Sequence, residues 1–446
     1  MIKGIKYNHL LYAIIFMCWI QYLLKRAFVN VEAIAGVLVQ IDDLLVVILA
    51  ILIVVSLLDK KSRSFSIRRT YLDPILITLM LMFIISTVLN GSSLFAAVLN
   101  FKNFYLYYVL YYFIIYANFD VNKNNRVTKF IIWFFMFEFV VQCIQMATVV
   151  AGGQISPDAI RGTFGGAGAV SYMYFMPLFF LISSFILTRN YRLLPFIVIF
   201  VFGFIISFGM FAVITLPFLL IIYFIRKLLF SVRGVISFAA SIIVLVGFYY
   251  IANILNPYIS MRMAFEMYSP EKLRGYILEH NVQTGENKWI WFPLTYQVSK
   301  RFAYHPFVGM GPGMYGSHAS FQFMSEPTDY IYNFFGQDEL GNDPAVGSEY
   351  VVVWGELGYL GLGIFFIIFV AIGYHNFRIF KRSREPDVKA LAVTASAAAL
   401  FMIGLMYLHQ SAEAPHIMCM FLLFTALSER EWRKEKRNRL TQLSEA

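Results

Sequence analysis

Two glutamates seven residues apart, Glu349 and Glu356, open an apolar run in Ser348-Glu349-Tyr350-Val-Val-Val-Trp354-Gly355-Glu356-Leu-Gly358-Tyr-Leu-Gly361. On a helix that spacing puts both carboxylates on one face, about two turns apart. A carboxylate carried that deep into an apolar helix is costly unless partnered, so Glu356 reads as functional or structurally paired. Glu349 lies nearer the end of the run, within reach of water and hydroxyl groups, and is the better general-base candidate. Two isolated cations stand out beside them: Lys102 in Asn100-Phe-Lys102-Asn-Phe104, and Arg161 in Asp158-Ala-Ile-Arg161-Gly-Thr-Phe164. A guanidinium offers bidentate donors and an ammonium a point charge, and both suit a diphosphate. The ordinary alternative for each is snorkelling toward lipid phosphate.

The stretch His305-Pro-Phe-Val-Gly309-Met-Gly311-Pro-Gly313-Met-Tyr315-Gly316 predicts a tight turn with exposed backbone. It is no nucleotide loop, since no strand precedes it and no Gly-Lys-Ser/Thr follows. On composition alone it is a rigid turn returning the chain to the membrane. His409, Glu413 and His416 gather in one short connection, but their spacing is poor for a metal, and no metal or other cofactor is expected.

These residues must be positioned by elements that live in lipid. Of 446 residues, 59% are hydrophobic and 14% charged, far from the balance of a soluble chain. Cys18, Cys143 and Cys419 fall in apolar runs and read as small hydrophobes. The expected fold is all-α, a polytopic membrane helical bundle of about twelve transmembrane helices. Their spans are 8–24, 42–58, 73–90, 101–117, 129–150, 167–187, 192–208, 210–226, 234–254, 349–375, 389–408 and 413–428. The division is 1–254 for spans one to nine, 255–348 for one large external loop, 349–428 for spans ten to twelve, and 429–446 for a basic cytoplasmic tail. With the N-terminus retained and cytoplasmic, 26 of the 36 Lys and Arg residues fall on the cytoplasmic face, as the positive-inside rule requires. The formal charge of +10 is then an orientation signal, and nucleic acid is not an expected partner. Both termini are cytoplasmic in this reading.

The 255–348 loop holds six basic residues, Arg262, Lys272, Arg274, Lys288, Lys300 and Arg301, against nine acidic ones. Its aromatics include Tyr315, Phe321, Phe323, Tyr330, Tyr332, Phe334 and Phe335, and Trp289-Ile-Trp291-Phe292 is apolar enough to rest on the membrane interface. Glu138, Gln142 and Gln145 form the main polar cluster within a span, the feature a transporter of lipid-linked sugars would need.

The order Arg161-Gly-Thr-Phe164, Arg262 and Arg274, Trp291, His305-Pro-Phe-Val-Gly309-Met-Gly311-Pro-Gly313, then Glu356-Leu-Gly358-Tyr-Leu-Gly361 resembles the O-antigen ligase/polymerase superfamily over residues 160–365. The resemblance implies a GT-C-like, metal-independent glycosyltransferase of the cytoplasmic (inner) membrane, acting on undecaprenyl-diphosphate-linked oligosaccharide at its outer side. Arg161, Lys102, Arg262, Arg274 and Arg301 would hold the diphosphate, and loop aromatics would stack on sugars. Implied partners are that lipid-linked substrate, membrane lipid and a chain-length regulator protein. Ligases of the superfamily carry a histidine nine residues before the glutamate matching Glu356; Gly347 stands there, leaving His305 and His318 as spatial substitutes. A Ser-Arg-Gly element is replaced by Ser207-Phe208-Gly209. Both departures favour a repeat-unit polymerase over a ligase, with a flippase-type transporter and a protein-binding scaffold as the other readings.

Overall fold

The computed structural model describes residues 2–28, 40–59, 64–122, 125–151, 160–164, 167–206, 291–302, 304–317, 319–320, 325–335, 348–408 and 413–445. Among these the chain is helical, with an isolated bridge between Phe65 and Ala117. The helices are α1 (Ile2–Ala27), α2 (Ile41–Leu58), α3 (Asp73–Asn90), α4 (Leu94–Tyr105), α5 (Tyr108–Tyr116), α6 (Arg126–Ala151), α7 (Ala167–Thr188) and α8 (Leu194–Ile206). They continue as α9 (Trp291–Arg301), α10 (Glu326–Phe335), α11 (Glu349–Arg382), α12 (Pro386–Leu408) and α13 (Pro415–Glu445).

Seven are long and apolar enough to cross a membrane: the segments Tyr7–Lys25, Ile41–Leu58, Asp73–Asn90, Arg126–Thr148, Ala169–Thr188, Glu349–Arg382 and Pro386–Tyr407. Their burial pattern is that of a bundle in lipid. On α2 the inward residues Val46, Leu49 and Ile53 follow helical spacing, while Leu44, Ile51 and Val55 are more than half exposed. A water-soluble helix does the reverse, turning polar residues outward. The protein is thus a multi-pass helical membrane protein.

Three expected spans take a different form. The fourth, 101–117, is divided between α4 and α5. At Leu106-Tyr107 the backbone tightens to i→i+3 bonding, Val109 N to Leu106 O and Leu110 N to Tyr107 O, and the Tyr107 hydroxyl lies 2.7 Å from Asp42 Oδ2. The seventh appears as a 3₁₀ turn, Tyr191–Leu193, followed by the thirteen residues of α8. The twelfth is only the start of α13, which runs unbroken to Glu445. The expected spans 210–226 and 234–254 lie outside the described residues, and seven helices among those described are of spanning length.

The centre of the bundle is α7, α12 and the first half of α13. Small residues on α12, including Ala395, Ala398 and Ala399, are fully buried and permit close approach: Ser396 Oγ donates to Gly373 O of α11 at 2.9 Å, and Phe401 stacks on Phe175 at 4.1 Å. Lacking a hydrophobic drive inside lipid, helices pair through such small residues and polar links. One end of the bundle, here the loop end, carries residues 160–164, α9, α10 and Ser348. The other, the tail end, carries residues 64–72 and the second half of α13.

At the tail end α13 is fastened to the bundle by polar contacts. Glu429 pairs with the Tyr111 hydroxyl and with Arg433. The Arg430 guanidinium donates to the carbonyls of Ile114, Ala117 and Phe119, a cation over the C-terminal carbonyls of α5. The segment expected to be a tail is therefore the continuation of a core helix.

Candidate functional site at the loop end

The glycine-rich segment and α11 form one unit. α11 is broken at Gly358, whose backbone is left-handed (φ 68°, ψ −171°), and the backbone around the break finds partners in the turn. Met310 N donates to Gly355 O at 2.7 Å, Gly311 N to Glu356 O at 3.0 Å, and Tyr359 N to Pro306 O at 3.0 Å. Ser86 Oγ of α3 lies 2.8 Å from Val308 O and 3.0 Å from Glu356 O. Backbone can leave the helix at membrane depth only where protein re-satisfies it, and this turn does so. Glycine is required on both sides. A Cβ on Gly309 (φ 79°) would meet the backbone of Glu356 and Gly358 at 2.5 Å, and one on Gly358 would collide with the backbone of Phe307 and Val308.

Glu356 is the junction of this unit. It is buried to 1% exposure. Asn100 Nδ2 of α4 donates to Oε2 at 2.8 Å, and Tyr315 N donates to Oε1 at 3.2 Å. The Ser317 hydroxyl also bonds it, and the Glu413 carboxylate is within electrostatic range. Tyr315, fully buried, shares a 2.6 Å hydrogen bond with Thr295 Oγ1 of α9. Met314 O accepts from Ser325 Oγ and Thr328 Oγ1 at the start of α10. The turn thus links α3, α4, α9, α10 and α11.

Arg161 sits in a second held turn. Gln145 Oε1 accepts from Arg161 N at 3.1 Å and Gly162 N at 2.8 Å, while its Nε2 donates to Gly162 O at 3.1 Å. Both Glu138 oxygens accept from Thr163 N, at 3.2 and 3.0 Å. Glu138, Gln142 and Gln145 lie at i, i+4 and i+7 on α6, one helical face; Glu138 and Gln145 of this cluster, expected to suit a transporter, hold the turn, while the buried Gln142 amide between them has no hydrogen-bond partner among the described residues. The Arg161 side chain is exposed while its backbone is fixed. Phe164 lies 5.7 Å from the His416 ring. His416 borders the Arg161 turn, and Glu413, three residues earlier, is within electrostatic range of Glu356, so both turns lie toward the entry to α13.

The remaining expected site residues fall as follows. Glu349, expected to be open to water, is fully buried at the start of α11. Lys102 is paired with Asp43 at 2.5 Å and lies 3.3 Å from Gln40 Oε1. Arg301 covers the Tyr330 ring at 4.6 Å. His305 is exposed, its Nδ1 accepting from Phe307 N at 3.3 Å. Arg262, Arg274 and His318 lie outside the described residues. Aromatic rings border the loop end: Phe292 on Trp354 at 6.1 Å, Trp354 on Tyr359 at 5.2 Å, and Phe307 on Tyr359 at 6.1 Å. Among the described residues, no group of three His, Cys, Asp or Glu side chains could hold a metal ion.

Sequence reasoning missed the roles of Asn100, Ser86, Glu138 and Gln145. For the last two a signal was present, a glutamate and a glutamine seven residues apart on a helix leading into Arg161-Gly-Thr. For Asn100 and Ser86 none was, because their partners are more than 200 residues away. No protein-family model matches the chain, and no curated protein does.

Proposed function

We propose that this protein is a metal-independent glycosyltransferase that polymerises undecaprenyl-diphosphate-linked oligosaccharide repeat units at the outer side of the cytoplasmic membrane, a repeat-unit polymerase similar to those of the O-antigen ligase/polymerase superfamily. In this reading the bundle has about twelve spans, the loop end faces outward and the tail end faces the cytoplasm. The observation that carries it is the placement of the two held turns, Arg161–Phe164 and His305–Gly316, toward the entry to α13 at Glu413 and His416. The same two segments carry the sequence resemblance.

In the proposed reaction a hydroxyl of the acceptor sugar attacks the anomeric carbon of the donor. The new C–O bond forms as the bond to the diphosphate breaks, and undecaprenyl diphosphate departs with the electron pair. Arg161, exposed on a fixed backbone, would neutralise the charge growing on that leaving group. Arg262 and Arg274 are further candidates for this work. The proton of the attacking hydroxyl needs an acceptor, and Glu349 is the carboxylate proposed for it. Glu356 is assigned to holding the turn, because its oxygens are already engaged by Asn100 and Tyr315. Trp354, Tyr359 and Phe307 supply faces on which sugars can stack.

The test is reconstitution. Purified protein incubated with a lipid-diphosphate-linked oligosaccharide is expected to yield a ladder of longer lipid-linked products. A single transfer to a different acceptor would identify a ligase, and vesicle uptake without a change in glycan length would identify a transporter. Unchanged product from Arg161→Ala would remove the mechanism.

A further inference from the structure

At the tail end, arginines crowd together with fewer carboxylates than they need. Arg433 is paired with Glu429 and also donates to Arg69 O at 2.9 Å. Lys434 is paired with Asp120 at 3.1 Å, and Arg439 with Glu435. Arg430 is spent on the carbonyls of Ile114, Ala117 and Phe119. Arg69 and Lys436 form no ion pair among the described residues, and Arg68 and Arg437 are left over with them. Arg68 makes only neutral hydrogen bonds, Nη2 to Asn118 Oδ1 at 2.7 Å and Nε to Ser66 Oγ at 3.3 Å, and among the described residues neither arginine forms an ion pair with a carboxylate.

The Arg433–Arg69 hydrogen bond brings the stretch of α13 that carries Arg437 alongside the segment that carries Arg68. Burial, and after it the Arg437 and Arg433 charges, pull the Arg68 guanidinium below its ordinary range. Arg430 likewise feels Arg68 and Arg437. Arg68 is on the strand-like segment tied to residues 116–118 by Ser66 N to Tyr116 O and Asn118 N to Ser64 O, and Arg437 is on the second half of α13, which Arg430 and Arg433 tie to residues 114–119 and 69. Exposed apolar side chains follow the two arginines along both elements: Ile67, 73% exposed, adjoins Arg68, and Leu440, 59% exposed, lies one turn on from Arg437, with Leu443, 76% exposed, a further turn beyond. Cations rimmed by outward apolar side chains at the end of a membrane bundle match the headgroup region, where anion and acyl chain are met together.

We propose that Arg68 and Arg437 form a binding site for the phosphate of an anionic glycerophospholipid, whose acyl chains lie against Ile67, Leu440 and Leu443. The ligand neutralises two crowded guanidiniums and thereby fastens α13 to the segment 64–69. A free phosphate offers the same anion without the chains, which makes the two sources separable.

The experiment uses the full chain in a neutral detergent. It is titrated with short-chain phosphatidylglycerol, short-chain phosphatidylcholine or inorganic phosphate, and retained lipid is counted by native mass spectrometry. Phosphatidylglycerol is expected to be retained in preference to phosphatidylcholine. Arg68→Gln and Arg437→Gln are each expected to weaken retention about fivefold, and Lys436→Gln, an exposed charge on the same helix, to leave it unchanged. Circular dichroism of each variant separates lost binding from lost folding, and Arg68→Lys, which keeps the charge, is expected to recover part of the affinity. Equal retention of the two lipids overturns the proposal, as does a Lys436→Gln loss equal to that of Arg437→Gln. Displacement of phosphatidylglycerol by inorganic phosphate at equal concentration would also overturn it, by making the site one for free phosphate.

Discussion

Asn100 and Glu356, 256 residues apart in the chain, meet in a fully buried hydrogen bond of 2.8 Å. That bond fixes α4 to the broken segment of α11 and leaves the second carboxylate oxygen for the amide of Tyr315. Removing the carboxylate orphans both donors, at about 1–3 kcal/mol for each buried group. Glu356→Ala is therefore expected to lower the thermal midpoint in detergent sharply, with Glu356→Gln intermediate because it keeps one acceptor. A Glu356→Ala protein as stable as the parent would show that the junction has another support.

Gly309 and Gly358 approach backbone to backbone, and both are left-handed. Gly309→Ala and Gly358→Ala are each expected to destabilise by more than about 1 kcal/mol. Because each Cβ intrudes on the other's segment, the double substitution should cost less than the sum. Gly363 is the control, since a Cβ there would have no neighbouring atom within 4 Å: Gly363→Ala should be neutral or stabilising.

If Gln145 acts by holding Arg161, Gln145→Ala should abolish chain elongation while leaving the fold intact by circular dichroism. Gln145→Glu retains the acceptor for Arg161 N and Gly162 N and should recover part of the rate. The readout that separates positioning from general structure is the diphosphate: Gln145→Ala and Arg161→Ala should each weaken binding of the lipid diphosphate, and the pair should be no worse than Arg161→Ala alone.

Lys102 has a structural partner in Asp43, and the two roles proposed for it make opposite predictions. Lys102→Met leaves Asp43 without its cation and should destabilise the protein. In the Lys102→Met/Asp43→Asn pair the stability should return. Product formation should return with it if Lys102 is a structural ion, and stay absent if Lys102 binds diphosphate.

At the tail end, burial alone would raise the Glu435 carboxyl. Hydrogen bonds from Ser383 Oγ at 2.6 Å and Arg384 N at 2.8 Å, with the Arg439 charge, nevertheless hold it below the ordinary range. A depressed folded value means stability that is present above the unfolded carboxyl's pKa, about 4.3, and is lost as pH falls through the folded one. Hydrogen exchange of α13 beyond Glu429 should therefore rise below about pH 4, and Glu435→Gln should remove that rise.

What could be read from sequence follows from where each signal resides. Apolar runs disclosed the long helices because lipid demands about 20 apolar residues for a span, and Glu356 could be recognised as paired because an unpartnered carboxylate there is too costly. The glycines of 309–313 announced a turn, since their backbone needs are local. What they turn against was not legible, because Gly358 and Ser86 are distant in sequence. Lys102 looked like an available cation for the same reason, its counterion Asp43 being 59 residues away. The tightening at Leu106-Tyr107 was hidden inside a run as apolar as any helix around it, since it depends on where Tyr107 finds an acid.

The fastening of α13 also bears on how the protein is made. Tyr111 and Glu429 are 318 residues apart, and Ile114 and Arg430 are 316 apart. Until the ribosome has delivered α13, the carbonyls at the end of α5 wait uncapped and the flank where α13 packs against α1 and α5 stays open to lipid. Assembly of this bundle therefore includes a late closure, in which one arginine seals a gap left since α5 was made.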